Sequence, residues 1–288
     1  MPDLRFISIL ASVSLMAQPA VGLDLDRTAR EALASRRGAL VVLAMDGKVL
    51  ALVNETIAQE KLPPGSVAKL VTAAAFMEER NVGPDHFLFC RGKGCWRAHG
   101  RIDLVSALAQ SCSSTFYVLG SNLGEKNLER YFEETGFSPP EKKNLSSACG
   151  EGGLRISPLD LASFAVALAN GGHLFRPYGG KLKNKKPRLI RALSWRPRTL
   201  EVLRAGMMLA ISEGTAHKAF VPGTAIAGKT GTASRLDAPH RNYGWFLGFA
   251  PASRPRIAVC VLLNDATGYN EASSAARLVF SSFLKKEK

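Results

Sequence analysis

The order of strand-like and helix-like segments constrains the fold of this 288-residue chain more than any other feature. Apolar runs typical of strands lie near both ends, beginning with a hairpin that turns at Asp46-Gly47 and returning at 224–234, 242–249 and 256–264. Helical patterns lie at 66–79, 102–119, 124–135, 157–170, 198–213 and 270–285. This order predicts an α+β fold, in which strands from both ends build one antiparallel sheet flanked by helices, with a mainly helical middle subdomain.

The first 22 residues are typical of a signal peptide. Arg5 precedes the apolar segment 6–16, which is far shorter than the roughly 20 residues that a membrane-spanning helix needs. Small residues at 20–22 suit a signal peptidase, so we expect cleavage after Gly22 and export to the periplasm or another extracytoplasmic compartment. An uncleaved membrane anchor is the alternative. Residues 23–288 are expected to form a single domain.

A serine and a lysine three residues apart, Ser66 and Lys69, follow a turn forced by Pro63, Pro64 and Gly65. A serine at this helix start lies near free backbone N–H groups, and the lysine lies one turn further on the same face. Burial against the apolar helix would lower the pKa of the lysine and make it a base for the serine hydroxyl. An ordinary helix start with an exposed lysine is the alternative.

Another pattern, Lys229-Thr230-Gly231-Thr232, lies in a segment of small residues that suits an edge strand. Lys229 supplies a positive charge, Thr230 and Thr232 supply hydroxyl donors, and Gly231 leaves room for a ligand beside the strand. This combination suits a substrate that ends in a carboxylate. A glycine-rich turn with a solvated lysine is the alternative for this pattern alone.

In chain order, Ser66 and Lys69 form the first motif, Ser111-Cys112-Ser113 the second and Lys229-Thr230-Gly231-Thr232 the third. Motifs in this order resemble the transpeptidase module of penicillin-binding proteins, in the penicillin-recognising active-serine family. Longer segments resemble that family as well, at 38–53, 99–111, 156–162, 169–172, 244–251 and 255–263. The resemblance therefore extends from about residue 38 to residue 285. Ser282 and Lys285 have the same spacing as Ser66 and Lys69, but without the preceding turn.

The resemblance implies a role for each matching residue. Ser66 would be the nucleophile, Lys69 its general base, and Ser111 the relay that protonates the departing amine. Lys229, Thr230 and Thr232 would hold the substrate carboxylate, and the backbone N–H groups of Ser66 and Thr232 would form the oxyanion hole.

Ser113 departs from the family pattern, which usually has asparagine there. A serine has one short hydroxyl where asparagine has a carbonyl and an amide, so contacts to Lys69 are expected to be weaker or water-bridged. We hypothesise that Ser113→Asn preserves or raises the rate of acylation.

The function implied is an exported D,D-transpeptidase of peptidoglycan crosslinking that acts on stem peptides ending in D-Ala-D-Ala and is acylated by β-lactams. A D,D-carboxypeptidase would use water instead of an amine. A β-lactamase is a second alternative, although Glu141 and Asn144 are one residue short of a Glu-x-x-x-Asn water-positioning segment. A non-catalytic module that senses wall peptides or β-lactams is the third.

Five cysteines are an odd number for an exported protein, so at least one stays unpaired within the chain. Cys90 and Cys95 could close a small disulfide in an oxidising compartment. Cys112 and Cys260 are interpreted as buried spacers. The histidines have no metal-ligand spacing with these cysteines, so neither a metal site nor a cofactor is expected.

The formal net charge of +14 favours attraction to anionic partners. Peptidoglycan and, through peripheral association, a membrane surface are the expected ones, together with proteins of cell-wall synthesis. Nucleic acid is not expected, because the basic residues are dispersed and no nucleic-acid-binding motif accompanies them.

Overall fold

The computed structural model describes residues 20–140 and 144–285. The α-helices are α1 (Ala20–Leu33), α2 (Glu55–Gln59), α3 (Lys69–Arg80), α4 (Leu104–Ala109), α5 (Ser113–Leu123), α6 (Glu125–Glu134), α7 (Pro158–Ala169), α8 (Pro197–Ser212) and α9 (Ser273–Lys285). The strands are β1 (Gly38–Ala44), β2 (Val49–Val53), β3 (Phe87–Cys90), β4 (Gly100–Asp103), β5 (His173–Arg176), β6 (Arg188–Ala192), β7 (Ala227–Ser234), β8 (Asn242–Ala250) and β9 (Ile257–Asn264). Short 3-10 helices lie at Gly65–Ala68, Leu145–Cys149 and His217–Ala219, and a π-helical turn at Gly268–Ala272 precedes α9.

The central sheet has five strands in the order β2-β1-β9-β8-β7, and all neighbouring pairs are antiparallel. Strands from the two ends of the chain therefore meet where β1 pairs with β9, which confirms the predicted α+β fold. The order puts β7 at an edge, as the small residues of that segment predicted. The edge leaves one side of β7 facing the helical middle of the chain.

Alternating side chains of the sheet enter two apolar cores, as the period of two in a strand requires. Val259 and Val261 of β9 pack in the core that includes residues of α1 and α9. Cys260 and Leu262 pack on the opposite face, in the core that includes residues of α3, α7 and α8. Burial on both faces explains why β9 has a continuous apolar run.

The helix predicted at 102–119 is wrong in one respect, because it is two helices. The chain breaks between α4 and α5 at Gln110–Cys112, where Ser111 has a φ of 53°, a left-handed conformation that no α-helix continues. The predicted helix at 66–79 likewise begins as a 3-10 turn before α3 starts at Lys69. Both irregularities fall on candidate site residues.

Two hairpins were not predicted, β3 with β4 and β5 with β6. Phe175 lies in β5. The loop that follows is attached to the first hairpin, because the hydroxyl of the buried Tyr178 donates to Asp46 Oδ2 at 2.6 Å.

Residues 1–19 lie outside the described residues, so the signal peptide and its cleavage after Gly22 stay predictions. Helix α1 begins at Ala20. Within 20–140 and 144–285, every helix is too short or too polar to cross a membrane.

Candidate active site

The turn before Ser66 is held by one hydrogen bond to the sheet and one to the residue after the 3-10 helix Leu145–Cys149. Trp245 Nε1 of β8 donates to the carbonyl oxygen of Pro63 at 2.8 Å, and the N–H of Gly65 donates to the carbonyl oxygen of Gly150 at 3.2 Å. A Cβ at position 65 would lie 2.4 Å from the carbonyl oxygen of Thr232, and the φ of Gly65 is 57°, in the left-handed region. For both reasons only glycine fits there. Ser66, the next residue, is thereby held beside the edge strand.

Lys69 is fully buried, and its hydrogen bonds go to the second motif. Its Nζ donates to the carbonyl oxygen of Ser111 at 2.8 Å and to Ser113 Oγ at 2.9 Å, and lies 3.5 Å from Ser111 Oγ. Burial lowers the pKa of Lys69 below its ordinary value of 10.5, because the charged form loses its hydration. The hydroxyl of Ser113 accepts directly, so this contact is not water-bridged, and a weaker contact than that of an asparagine stays a prediction.

Lys229 reaches the same serine from the sheet. Its Nζ donates to Ser111 Oγ at 2.9 Å and to the carbonyl oxygen of Thr230 at 3.0 Å. Burial, followed by repulsion from Lys69, holds the pKa of Lys229 well below its ordinary value. The Ser111 hydroxyl therefore lies between two buried amines whose simultaneous protonation is unfavourable.

The remaining residues of the third motif have other neighbours. Thr230 is buried and its hydroxyl donates to Thr215 Oγ1 at 2.9 Å, whereas the exposed Thr232 accepts from the N–H of Gly268 at 3.1 Å. A Cβ at Gly231 would lie 2.5 Å from the carbonyl oxygen of Pro64. Gly231 is thus required for close packing of β7 on the turn before Ser66.

Sequence reasoning missed two residues next to the site. Thr215 joins β7 to the end of α4, since its N–H donates to the carbonyl oxygen of Ala109 at 3.1 Å. Cys149 Sγ lies 3.6 Å from the carbonyl oxygen of Ser113. No local pattern links either residue to the motifs, because both contacts form only when distant helices pack.

The two residues compared with a water-positioning segment, Glu141 and Asn144, have different outcomes. Asn144 caps the 3-10 helix Leu145–Cys149, and Glu141 lies outside the described residues.

A cluster of sulfur and imidazole groups lies behind the second motif. The ligand atoms of Cys90, Cys95, His99 and Cys112 all lie within 4.8 Å of one another. The expected Cys90–Cys95 disulfide is wrong, because both thiols are free and lie around His99 instead. The expectation that these cysteines and histidines could not form a metal site missed this cluster, since one of its members comes from a different element, the start of α5.

The arrangement is suited to acyl transfer. A serine hydroxyl precedes a buried lysine whose neutral form is favoured, and a second lysine next to an exposed threonine can receive an anion.

Comparisons with known proteins found matches to a family model, to curated relatives and to solved structures. The family model described as "Penicillin binding protein transpeptidase domain" matches residues 38–285. An alignment 251 residues long with Stage V sporulation protein D of Bacillus subtilis is 28% identical and covers 71% of this chain and 38% of that protein. It is 29% identical to peptidoglycan D,D-transpeptidase PbpA of Mycolicibacterium smegmatis over 286 residues, with 82% of this chain and 57% of that protein covered. The chain thus spans only part of the length of these curated relatives.

Among solved structures, the transpeptidase domain of Burkholderia pseudomallei penicillin-binding protein 3 matches with a TM-score of 0.81. The match covers 94% of this chain and 95% of that one at 19% identity, and shows a common fold. Because the family model covers most of the sequence, from the first hairpin to α9, the chain belongs to the penicillin-binding protein transpeptidase domain family.

Proposed function

We propose that this chain is a peptidoglycan D,D-transpeptidase that works outside the cytoplasm, cross-links stem peptides ending in D-Ala-D-Ala and is acylated by β-lactams. One observation carries the proposal: Lys69 and Lys229 are hydrogen-bonded through the Ser111 turn, beside the helix start that holds Ser66. The names of its relatives support the same activity. Proteins of cell-wall synthesis are its proposed partners.

Lys69 acts as the general base. A neutral lysine amine has two N–H donors and one lone pair. The carbonyl oxygen of Ser111 and the hydroxyl of Ser113 take the two donors, at 2.8 and 2.9 Å. The lone pair is left to accept the proton of Ser66 as its oxygen attacks the peptide carbonyl.

Lys229 holds the terminal carboxylate of the substrate, assisted by the hydroxyl groups of Thr230 and Thr232. The arriving carboxylate favours a protonated Lys229, whose charge in turn favours a neutral Lys69. The N–H groups of Ser66 and Thr232 stabilise the oxyanion.

Ser111 completes the proton transfer. It accepts a hydrogen bond from Lys229, so its own proton can pass to the departing amine while Lys69 returns the proton taken from Ser66. The carbon–nitrogen bond breaks, D-alanine leaves, and the acyl group stays on Ser66. A stem-peptide amine then attacks this ester and restores the serine.

The test uses a synthetic stem peptide ending in D-Ala-D-Ala, with and without an acceptor amine, and follows D-alanine release and product mass. We expect D-alanine release and an amide product that both disappear in Ser66→Ala, with Ser282→Ala as the matched control. Release of D-alanine without an amide product would indicate a carboxypeptidase. In a parallel assay with penicillin, rapid turnover of the drug would indicate a β-lactamase. A chain that neither releases D-alanine nor forms a penicillin adduct would contradict an enzymatic function.

A further inference from the structure

The sulfur and imidazole cluster behind the active site has a geometry that the proposed acyl transfer does not use. Cys90 ends β3, Cys95 and His99 lie in the turn of the β3–β4 hairpin, and Cys112 is the N-cap of α5. Cys90 and Cys112 are buried, while Cys95 and His99 are half-buried. The cluster therefore joins the hairpin to the residue between Ser111 and Ser113.

Three of the six distances between the ligand atoms match the edges of a tetrahedral zinc site, and all six lie within 4.8 Å. Zn–S bonds of about 2.3 Å and Zn–N bonds of about 2.05 Å at tetrahedral angles separate two sulfurs by about 3.8 Å, and sulfur from nitrogen by about 3.6 Å. Cys95 Sγ lies 3.7 Å from Cys112 Sγ and 3.6 Å from His99 Nδ1. Cys90 Sγ lies 3.5 Å from the same nitrogen. These sulfur–sulfur and sulfur–nitrogen separations are those of ligands around one ion.

The surroundings of the four groups also suit a metal. Nδ1 of His99 is the ring nitrogen directed at the sulfur atoms, because it lies within 3.6 Å of Cys90 Sγ and of Cys95 Sγ. Among the described residues, the buried Nε2 on the other side of the ring has no hydrogen-bond partner. The buried hydroxyl of Thr115 donates to Cys112 Sγ at 3.1 Å, an outer contact that stabilises a thiolate ligand. A disulfide needs sulfurs about 2.05 Å apart, far closer than the 3.7 Å between Cys95 and Cys112.

We propose that Cys90, Cys95, His99 and Cys112 bind one Zn²⁺ ion in a closed structural site. Three sulfurs and one imidazole are a ligand set that zinc prefers, and four protein ligands leave no open position for catalysis. The three thiols lose their protons to solvent when the ion binds.

The consequence for the active site follows from Cys112. Its neighbour Ser111 has the left-handed backbone conformation and contacts both lysines, so the ion holds the turn that places Ser111 and Ser113. Cys112 is thereby a positioning residue that acts through its two neighbours.

The test measures zinc in the full chain, purified under reducing conditions, by inductively coupled plasma mass spectrometry. We expect about one Zn²⁺ per chain. The ion should be lost in Cys90→Ser/Cys95→Ser and retained in the matched control Cys260→Ala, whose sulfur lies in β9 away from the cluster. Because the double variant can fail to fold, wild-type chain stripped with a chelator is also titrated with Zn²⁺, and Co²⁺ replaces it as a spectroscopic probe of thiolate ligation.

Stoichiometric uptake, protection of Cys90, Cys95 and Cys112 from alkylation, and a thiolate-to-Co²⁺ charge-transfer band would support the site. A wild-type chain that binds no ion, or zinc retained in a folded double variant, would overturn it. Metal content is measured without substrate, so its failure is distinct from failure of the proposed transpeptidase.

The link to the second motif has its own measurement. Stripped but still folded chain should be acylated by penicillin about tenfold or more slowly than loaded chain, and readdition of Zn²⁺ should restore the rate. Equal rates in loaded and stripped chain would overturn the positioning role.

Discussion

The chain has two serine–lysine pairs at the same spacing, and they lie in different surroundings. Lys69 is fully buried beside the second motif, and Ser66 follows a turn held against β7. Lys285 is exposed at the end of α9, and Ser282 accepts a hydrogen bond from Thr28 of α1 at 3.2 Å. The difference teaches that spacing brings a lysine to the same face as a serine, while burial and partners from other elements make it a base.

The largest expected effect distinguishes the two serines. Ser66→Ala should abolish covalent labelling by fluorescent penicillin, because it removes the hydroxyl that Lys69 is proposed to activate. Ser282→Ala should label at the wild-type rate. Gel fluorescence over time measures both, and persistent labelling of the Ser66 variant would break the comparison.

The two lysines should differ almost as much. Lys69→Gln should slow acylation by roughly 10²- to 10⁴-fold, the usual contribution of a general base. Lys285→Gln removes a solvated charge and should leave the rate unchanged. Stopped-flow acylation kinetics test this pair, and similar rates for the two variants would contradict the role of burial.

A pH profile sharpens the contrast further. The neutral amine is the base, so the acylation rate should rise with pH and then level off. Because burial lowers the pKa of Lys69 from 10.5, the midpoint of this rise should lie below that value. Each pH unit below the midpoint should cost about tenfold in rate. A midpoint at the ordinary lysine value would show that Lys69 is solvated like Lys285.

Gly231→Ala tests the packing of β7 on the turn before Ser66. The added Cβ would meet the carbonyl oxygen of Pro64 at 2.5 Å, so we expect a loss of about 1–3 kcal/mol in the free energy of unfolding. Ser234→Ala on the exposed end of β7 is the control. Denaturant unfolding measures both, and unchanged stability of the Gly231 variant would show that β7 and the turn are not held together.

Ser113→Asn should have the smallest effect. Its amide oxygen can replace the hydroxyl that accepts from Lys69 Nζ at 2.9 Å, and its amide N–H adds a donor. The acylation rate should therefore stay the same or rise. A much slower rate of penicillin labelling would count against this hypothesis.

Sequence patterns predicted the features that depend on neighbouring residues. The first hairpin and the serine–lysine helix start followed from turn residues and apolar periodicity, and the edge position of β7 followed from the small residues of its segment. The break at Ser111 was not predicted, because residues 102–119 have a helical pattern and the break forms through contacts with two distant lysines. The sulfur cluster was missed for the same reason, since Cys112 meets the hairpin only after α5 packs.

The central claim is that Ser66 is the nucleophile, and digestion with trypsin separates Ser66 from every other serine of the chain. Cleavage after Lys61 and Lys69 releases a peptide of residues 62–69 in which Ser66 is the only hydroxyl-bearing residue. Mass spectrometry of the penicillin-treated chain should find the penicilloyl adduct on this peptide, at Ser66. An adduct confined to any other peptide would contradict the account.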